Sequence, residues 1–344
     1  MLSLLLSTFF INLFGIFNLF GINKNLLTAQ IIYYAIGLIA FFLVAKIGLT
    51  FFRSNAKFFY WLFIGLMILT YVIGFEANGS KRWIGLYFFN FQPSEFFKIF
   101  FIIFFADFFT RHRKDIDEIY FYLASFVYFL IPVLIIFKQP DLANAITYVF
   151  IYVVMLIFSK IPKRYIFYLA AAVLAIMPFG WFILKDYQRL RLLSFFNPHL
   201  DQAGTGYNIT QAVITVGSGK FLGRGLGSGT QSRLFFLPEN HTDFAFSSLV
   251  EQFGFLGGFI VLFFYFIIGQ NIIKRLIRYY SSSNEEGIFN YFFSLGFFAY
   301  FIFQVIVNVG MNLGMLPVAG VALPLISYGG SSLVSFMMGL GLLP

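Results

Sequence analysis

The sequence predicts an all-α integral membrane protein of about ten transmembrane helices, with one long extracytoplasmic loop before the eighth. Three observations predict it. Charged residues make up only 11% of the chain and hydrophobic ones 60%, whereas a soluble domain needs about 25% charged residues to cover its surface. The apolar runs approach the roughly 20 helical residues that cross a hydrocarbon core. Basic residues also gather in alternate short loops, as membrane orientation requires.

The ten expected spans lie near 2–21, 29–52, 58–76, 93–109, 119–137, 142–158, 165–184, 246–269, 288–310 and 323–344. The first run has no basic start and no small-residue cleavage site, which reads as an uncleaved span. The 54 phenylalanines read as lipid-facing filler. One set of loops carries Arg53, Lys57, Arg111, Arg113, Lys114, Lys160, Lys163, Arg164, Lys274, Arg275 and Arg278; the short loops opposite carry Lys24, Lys81, Arg82 and Lys138. This asymmetry places the first set and both termini in the cytoplasm. Residues 1–344 then form a single polytopic membrane domain, whose long outer loop covers about 185–245.

Several chemistries are excluded. There is no cysteine, hence no disulfide, thiolate ligand or thiol nucleophile. The net charge of +9 is scattered between apolar runs, so it reads as topology and not as a nucleic-acid surface. GSGKFLGRGLGSGT (217–230) holds six glycines but lacks the Gly-Lys-Ser/Thr turn of a phosphate loop. Its bland reading is a Gly-rich re-entrant hairpin. No G-x-S-x-G or H-E-x-x-H occurs, and the three histidines, His112, His199 and His241, suggest no triad by spacing.

What remains is charge at the outer membrane face. FLPENHTDFAF (236–246) sets Glu239, His241 and Asp243 directly before a span. Glu95 and Lys98 are three residues apart and share one helix face. Asp141 lies between two spans. Ionisable groups at membrane depth are costly and mark functional candidates; the alternative for Glu95 and Lys98 is a purely structural ion pair. Glu251, roughly 12 Å along a helix from Asp243, points into the bundle and reads equally well as structural.

Four motifs then carry a resemblance. GSKRWIGLYFFNFQPSEFFK (79–98), KQPDLANA (138–145), residues 206–258 and NVGMNLGMLPVAGVALPLISYGGSSL (308–333) are similar, in this order, to the signatures of the SEDS family of shape, elongation, division and sporulation proteins. KDYQRLRLLSFFNPHLD (185–201) and GTQSRLFFLPE (229–239) resemble its elongation branch more than its division branch. Ala143, Asn144, Ala212, Lys220 and Gln252-Phe253 depart from the common pattern; none removes a charged motif residue.

The resemblance implies a peptidoglycan glycosyltransferase of the inner membrane, acting outside it on lipid II and a nascent glycan strand during elongation. It implies Asp243 as general base and Arg82, Glu95, Lys98, Asp141, Arg191, Lys220, Arg224 and His241 as substrate-binding residues. Leaving pyrophosphate needs positive charge. Arg189 and Arg233 are further outer-face candidates for it, while Arg82, Lys98 and Arg191 fall inside the motifs. A divalent cation, Mg²⁺ or Mn²⁺, would take carboxylate oxygens such as those of Asp243, Glu95 or Asp141. Expected partners are a class B penicillin-binding protein and other elongation-complex proteins. The alternatives are a lipid II flippase, for which inverted repeats are not visible, and a division-type polymerase.

Overall fold

The computed structural model describes residues 2–77, 80–86, 89–112, 119–159, 162, 164–165, 167–168, 171, 182, 184, 186–201 and 204–344. Most of the seventh expected span (165–184), and Arg113, Lys114, Lys160 and Lys163, lie outside the described residues. The helices are α1 (Leu2–Ile22), α2 (Lys24–Ile47), α3 (Leu49–Ser54), α4 (Ala56–Ile73), α5 (Pro93–Arg111), α6 (Ile119–Lys138) and α7 (Leu142–Phe158). They continue with α8 (Asp186–Phe196), α9 (Thr205–Ser218), α10 (Thr230–Arg233), α11 (Ala245–Tyr280), α12 (Glu285–Asn312) and α13 (Gly330–Gly341). Six of them, α1, α2, α4, α6, α11 and α12, are long and apolar enough to cross a membrane.

The chain divides into two compact units. One comprises Met1–Thr28, Pro162–Ile267 and Gln304–Tyr328; the other comprises Ala29–Ile161, Ile268–Phe303 and Gly329–Pro344.

The second unit is built around α5, whose residues are buried on nearly every side. That burial explains how one helix carries Glu95, Lys98 and Asp107 through an apolar environment: each of these charges faces protein instead of lipid, while Arg111 is exposed at the helix end. Pro93 opens the helix where its missing N–H costs nothing. Asp107 is gripped by Arg111 Nε at 2.6 Å and Arg53 Nε at 3.1 Å, and Arg53 also reaches Glu285 at 3.4 Å. Two arginines used in the sequence only to orient the chain therefore neutralise a buried carboxylate.

Ahead of α5 lies an element the sequence did not announce, a small antiparallel sheet. Its strands are β1 (Phe75–Ala77), β2 (Ser80–Leu86) and β3 (Phe89–Phe91), in the order β1-β2-β3. Phe75 pairs with Trp83, and Ile84 with Phe91. The outer strands, of three residues each, are too brief to show a period of two.

The first unit turns on a break in a helix. Gly254, inside α11, has φ +71° and ψ −173°, which interrupts the regular hydrogen-bond ladder. The Gly-rich segment 217–230 supplies partners on both sides of the break. Arg224 N donates to Glu251 O at 2.8 Å and Gly225 N to Gln252 O at 3.0 Å; Phe255 N donates to Lys220 O at 2.9 Å and Leu256 N to Phe221 O at 3.1 Å. Backbone approaches backbone so closely that a Cβ at Gly223 would lie 2.1 Å from Gln252 O, and one at Gly254 would lie 2.3 Å from Gly223 N. Gly223 and Gly254 serve chain packing here. Gln252 extends the joint to α1: its Nε2 donates to Asn18 Oδ1 at 2.7 Å, and its Oε1 accepts from Gly227 N at 3.1 Å.

This joint predicts a contrast between glycines. Gly254→Ala or Gly223→Ala, each with a positive φ and no room for a methyl group, should lose about 2–4 kcal/mol in detergent unfolding. Gly65→Ala in α4, with nothing within 4 Å of the added carbon, should stay within about 1 kcal/mol of the parent.

Candidate active site

In the first unit, four consecutive carbonyl oxygens of the polar row before α11 are held from outside. Asn240 O accepts from Ser248 Oγ at 2.7 Å, His241 O from Tyr328 N at 2.7 Å, and Thr242 O from Ser327 Oγ at 2.6 Å. Asp243 O accepts twice, from Asn308 Nδ2 and Asn312 Nδ2, each at 3.0 Å. The two asparagines are one turn apart on α12, so both amides face the same point. Each is fixed in turn. Asn308 Nδ2 also donates to Val321 O at 2.7 Å, while Asn312 Oδ1 accepts from Ser247 N at 2.9 Å and Ser247 Oγ at 2.6 Å. Phe244, the next residue, is sunk in an apolar cluster with Ile209, Ala212, Leu237, Met311 and Val318. Asp243 therefore has an immobilised backbone and a half-buried side chain.

Its carboxylate lies over Gly320. A Cβ at that glycine, where φ is +72°, would lie 3.4 Å from Asp243 Oδ2 and 4.0 Å from Arg191 Nη1. The outer arginine singled out from the motif and the proposed base thus converge on the same bare patch of backbone. This pairing spans 52 residues and was not readable from spacing.

His241 is half-buried beside them, with Nδ1 3.2 Å from Asn240 Oδ1. Burial pushes its pKa below the ordinary 6.5, opposed by the nearby Glu239 carboxylate. Lys220 and Arg224 sit on the loop that fills the helix break; both side chains are exposed, and Arg224 Nε donates to Ser218 O at 2.8 Å. Arg233 is likewise spent on Gly227 O at 3.1 Å, and Arg189 lies 3.6 Å from Asp186. Glu251 resolves to its structural reading. At 0% exposure it accepts from Gln231 N at 2.8 Å and from Ser232 N at 2.9 Å, and Ser232 Oγ donates to it at 2.5 Å. It thereby anchors the four-residue α10.

The second unit holds the other candidates in one polar chain. Asp141, only 3% exposed, caps α7. Its carboxylate accepts from Asn144 Nδ2 at 2.8 Å and Gln92 Nε2 at 3.0 Å, and lies 3.2 Å from Arg82 Nη1. The asparagine that departs from the family pattern thus supports its own cap. Gln92 Nε2 also reaches Ser94 Oγ at 3.2 Å, and Tyr148 Oη donates to Ser94 O at 2.6 Å. Lys98, 1% exposed, pairs with Glu95 Oε1 at 2.8 Å and lies 5.2 Å from the centre of the Tyr300 ring. Two atoms in this chain are buried without a hydrogen-bond partner: Glu95 Oε2 and Arg82 Nε. An acceptor and a donor left open in this way suit a polar ligand, because an unmet buried group is expensive.

Sequence reasoning found the charged residues but missed Asn308, Asn312 and Gly320. A signal existed for the asparagines, two amides four residues apart in an apolar helix. Among the described residues no group of three His, Asp or Glu side chains could hold a metal ion.

Comparison with known proteins adds the following. The FtsW, RodA and SpoVE family, described as "Cell cycle protein", matches residues 3–344. The peptidoglycan glycosyltransferase MrdB of Escherichia coli K12 is 34% identical over 343 residues, covering 99% of this chain and 91% of that protein. A probable peptidoglycan glycosyltransferase FtsW of Hydrogenovibrio crunogenus is 32% identical over 326 residues, covering 94% and 82%. A solved chain from a peptidoglycan synthase complex that coordinates polymerization and crosslinking superposes with a TM-score of 0.84 at 28% identity, covering 100% of this chain and 96% of that one.

The His241 environment sets a pH dependence. The folded state disfavours the imidazolium, so below pH 6.5 the unfolded chain takes up a proton that the folded chain resists. Stability from this group is complete above 6.5 and is lost as pH falls through the lowered folded value. Unfolding midpoints measured between about pH 5 and 7.5 should fall on acidification, and His241→Gln should flatten that slope.

Proposed function

The chain belongs to the FtsW, RodA and SpoVE family of cell cycle proteins, and from that membership we propose that it is a peptidoglycan glycosyltransferase of cell-wall elongation. Its substrate is lipid II, a disaccharide-peptide on undecaprenyl pyrophosphate, which it adds to a nascent glycan strand. The protein is a multi-pass membrane protein; we assign it to the inner membrane, with both termini cytoplasmic and the reaction outside. The observation that carries this reading is the four-carbonyl clamp that fixes Asp243 beside Arg191.

In the reaction the 4-hydroxyl of lipid II attacks the anomeric carbon of the growing strand. The new glycosidic C–O bond forms as the bond from that carbon to the pyrophosphate oxygen breaks. The hydroxyl proton passes to the Asp243 carboxylate, and the bonding pair leaves with the pyrophosphate. A base held in place by its backbone loses little entropy when the acceptor arrives. Arg191, over the same glycine, supplies positive charge for a phosphate oxygen. Lys220 and Arg224 add exposed positive charge on the Gly-rich loop, and the neutral His241 supplies a hydrogen-bonding ring. In the second unit Arg82, Glu95, Lys98 and Asp141 bind substrate through the open donor and acceptor of their chain.

No all-protein metal cage exists among the described residues, which limits the form a cofactor can take. Mg²⁺ keeps several waters and is commonly held by one or two carboxylates plus substrate phosphates, and Asp243 fits that role. Mg²⁺ or Mn²⁺ bound there would offset charge on the leaving pyrophosphate. The similarity to a chain of a complex that couples polymerization to crosslinking supports a transpeptidase partner. We assign this partner to the class B penicillin-binding proteins, within a larger elongation complex.

Two outcomes test the reading, each measured as glycan length from labelled lipid II with purified protein and partner. Asp243→Asn keeps the carbonyl clamp and should slow polymerisation at least ~100-fold; near-parental polymer would remove Asp243 as base. Chelation with EDTA should abolish synthesis and Mg²⁺ or Mn²⁺ should restore it, whereas undiminished synthesis in metal-free reagents would exclude the cation and leave the base assignment standing.

A further inference from the structure

At the end of α7 remote from Asp141, the second unit contains a cavity in two lobes. One lobe, of about 440 Å³, lies among the ends of α5, α6, α7 and α12 and is walled by Ser159 and the turn Tyr279–Ser283. The other, of about 410 Å³, is an apolar slot between α7, α11 and α12, lined by side chains such as Val154, Ile277, Leu295 and Ala299. Phe158, Tyr280 and Tyr291 line both lobes, so the two lobes adjoin across these side chains. The Tyr280 and Tyr291 rings stand edge to face at 5.9 Å at the junction. Each lobe has the volume of a small-ligand site.

The shape selects the occupant. Two of the slot's lining side chains, Phe158 and Ile277, are exposed, and exposed apolar side chains of a membrane-spanning protein face lipid. A peptide lying in the slot would leave backbone N–H and C=O groups unmet in an apolar channel; a hydrocarbon chain carries no such groups. The lobe walled by Tyr279–Ser283 offers serine hydroxyls. On the adjoining turns of α11, Lys274 and Arg278 are exposed and enter no ion pair among the described residues. Of the nearby carboxylates, Glu285 is drawn to Arg53 and Glu286 is exposed. Tyrosines at the junction suit the boundary between acyl chain and headgroup. We propose that this two-lobed cavity binds an anionic membrane phospholipid, with an acyl chain in the slot and the phosphate headgroup at Ser281–Ser283 beneath Lys274 and Arg278. The site is separate from the residues assigned to polymerisation and does not depend on that assignment.

Native mass spectrometry of the full chain, stripped of lipid in detergent and titrated with phosphatidylglycerol or phosphatidylcholine, tests it. The parent should retain phosphatidylglycerol in preference to phosphatidylcholine and should not bind soluble glycerol phosphate. Val154→Trp, which fills the slot, should lose the lipid. The surface pair Lys274→Gln with Arg278→Gln, which leaves the packing untouched, should weaken phosphatidylglycerol roughly 30-fold, at about 1 kcal/mol for each basic residue. Equal retention of the two lipids by the parent, or parental lipid binding by the surface pair, would overturn the proposal. So would tight binding of glycerol phosphate alone.

Discussion

Inside hydrocarbon a backbone N–H or C=O has no water to turn to, so a helix that breaks there must find its partners within the protein. The break at Gly254 in α11 is met by the Gly-rich segment, whose amides and carbonyls replace those the helix gives up. Much of the first unit follows from that joint. Gln252 ties the joint to α1 through Asn18. Glu251 organises α10, from which Ser232 O accepts the Asn240 amide at 2.6 Å and so holds the start of the polar row. The row then presents Asp243.

The same economy of polar groups governs the carboxylates. In a low-dielectric setting a charge interacts several times more strongly than in water, both favourably and unfavourably. The structure meets this in two ways. Asp107 and Glu251 are saturated, by two arginines and by four donors respectively, and read as structural. Glu95 keeps one oxygen unmet, and Asp243 shares the bare surface of Gly320 with Arg191. A saturated carboxylate stiffens the fold, whereas an incompletely saturated one can answer a substrate. That distinction separates Glu95 from Asp107 and Glu251 more cleanly than their burial does, since all three are buried.

The Gly-rich segment shows how one composition can support rival readings. Six glycines in fourteen residues suit a ligand cradle or a tight hairpin. In the fold, Gly219, Gly223 and Gly254 are required because carbonyl oxygens or amides of neighbouring backbone occupy the place of a Cβ. Arg224 and Lys220 stay exposed on that frame, so the segment can be structural in its backbone and functional in its side chains.

Composition and run length determined the membrane class, because hydrophobic burial in lipid is a sum over residues and needs no partner. Helical spacing determined that Glu95 and Lys98 share a face, and the motifs marked Asp243, Arg82, Asp141 and Arg191. The tertiary structure alone decided what each charge does. Arg82 meets Asp141, Arg53 meets Asp107, Asn308 and Asn312 hold Asp243 O, and Gly320 opens space between Asp243 and Arg191. These contacts join residues 54 to 129 positions apart, or 65 and 69 in the case of the clamp. Periodicity is set by neighbours within a turn or two of chain, and it carries no record of which distant amide will close on which carbonyl.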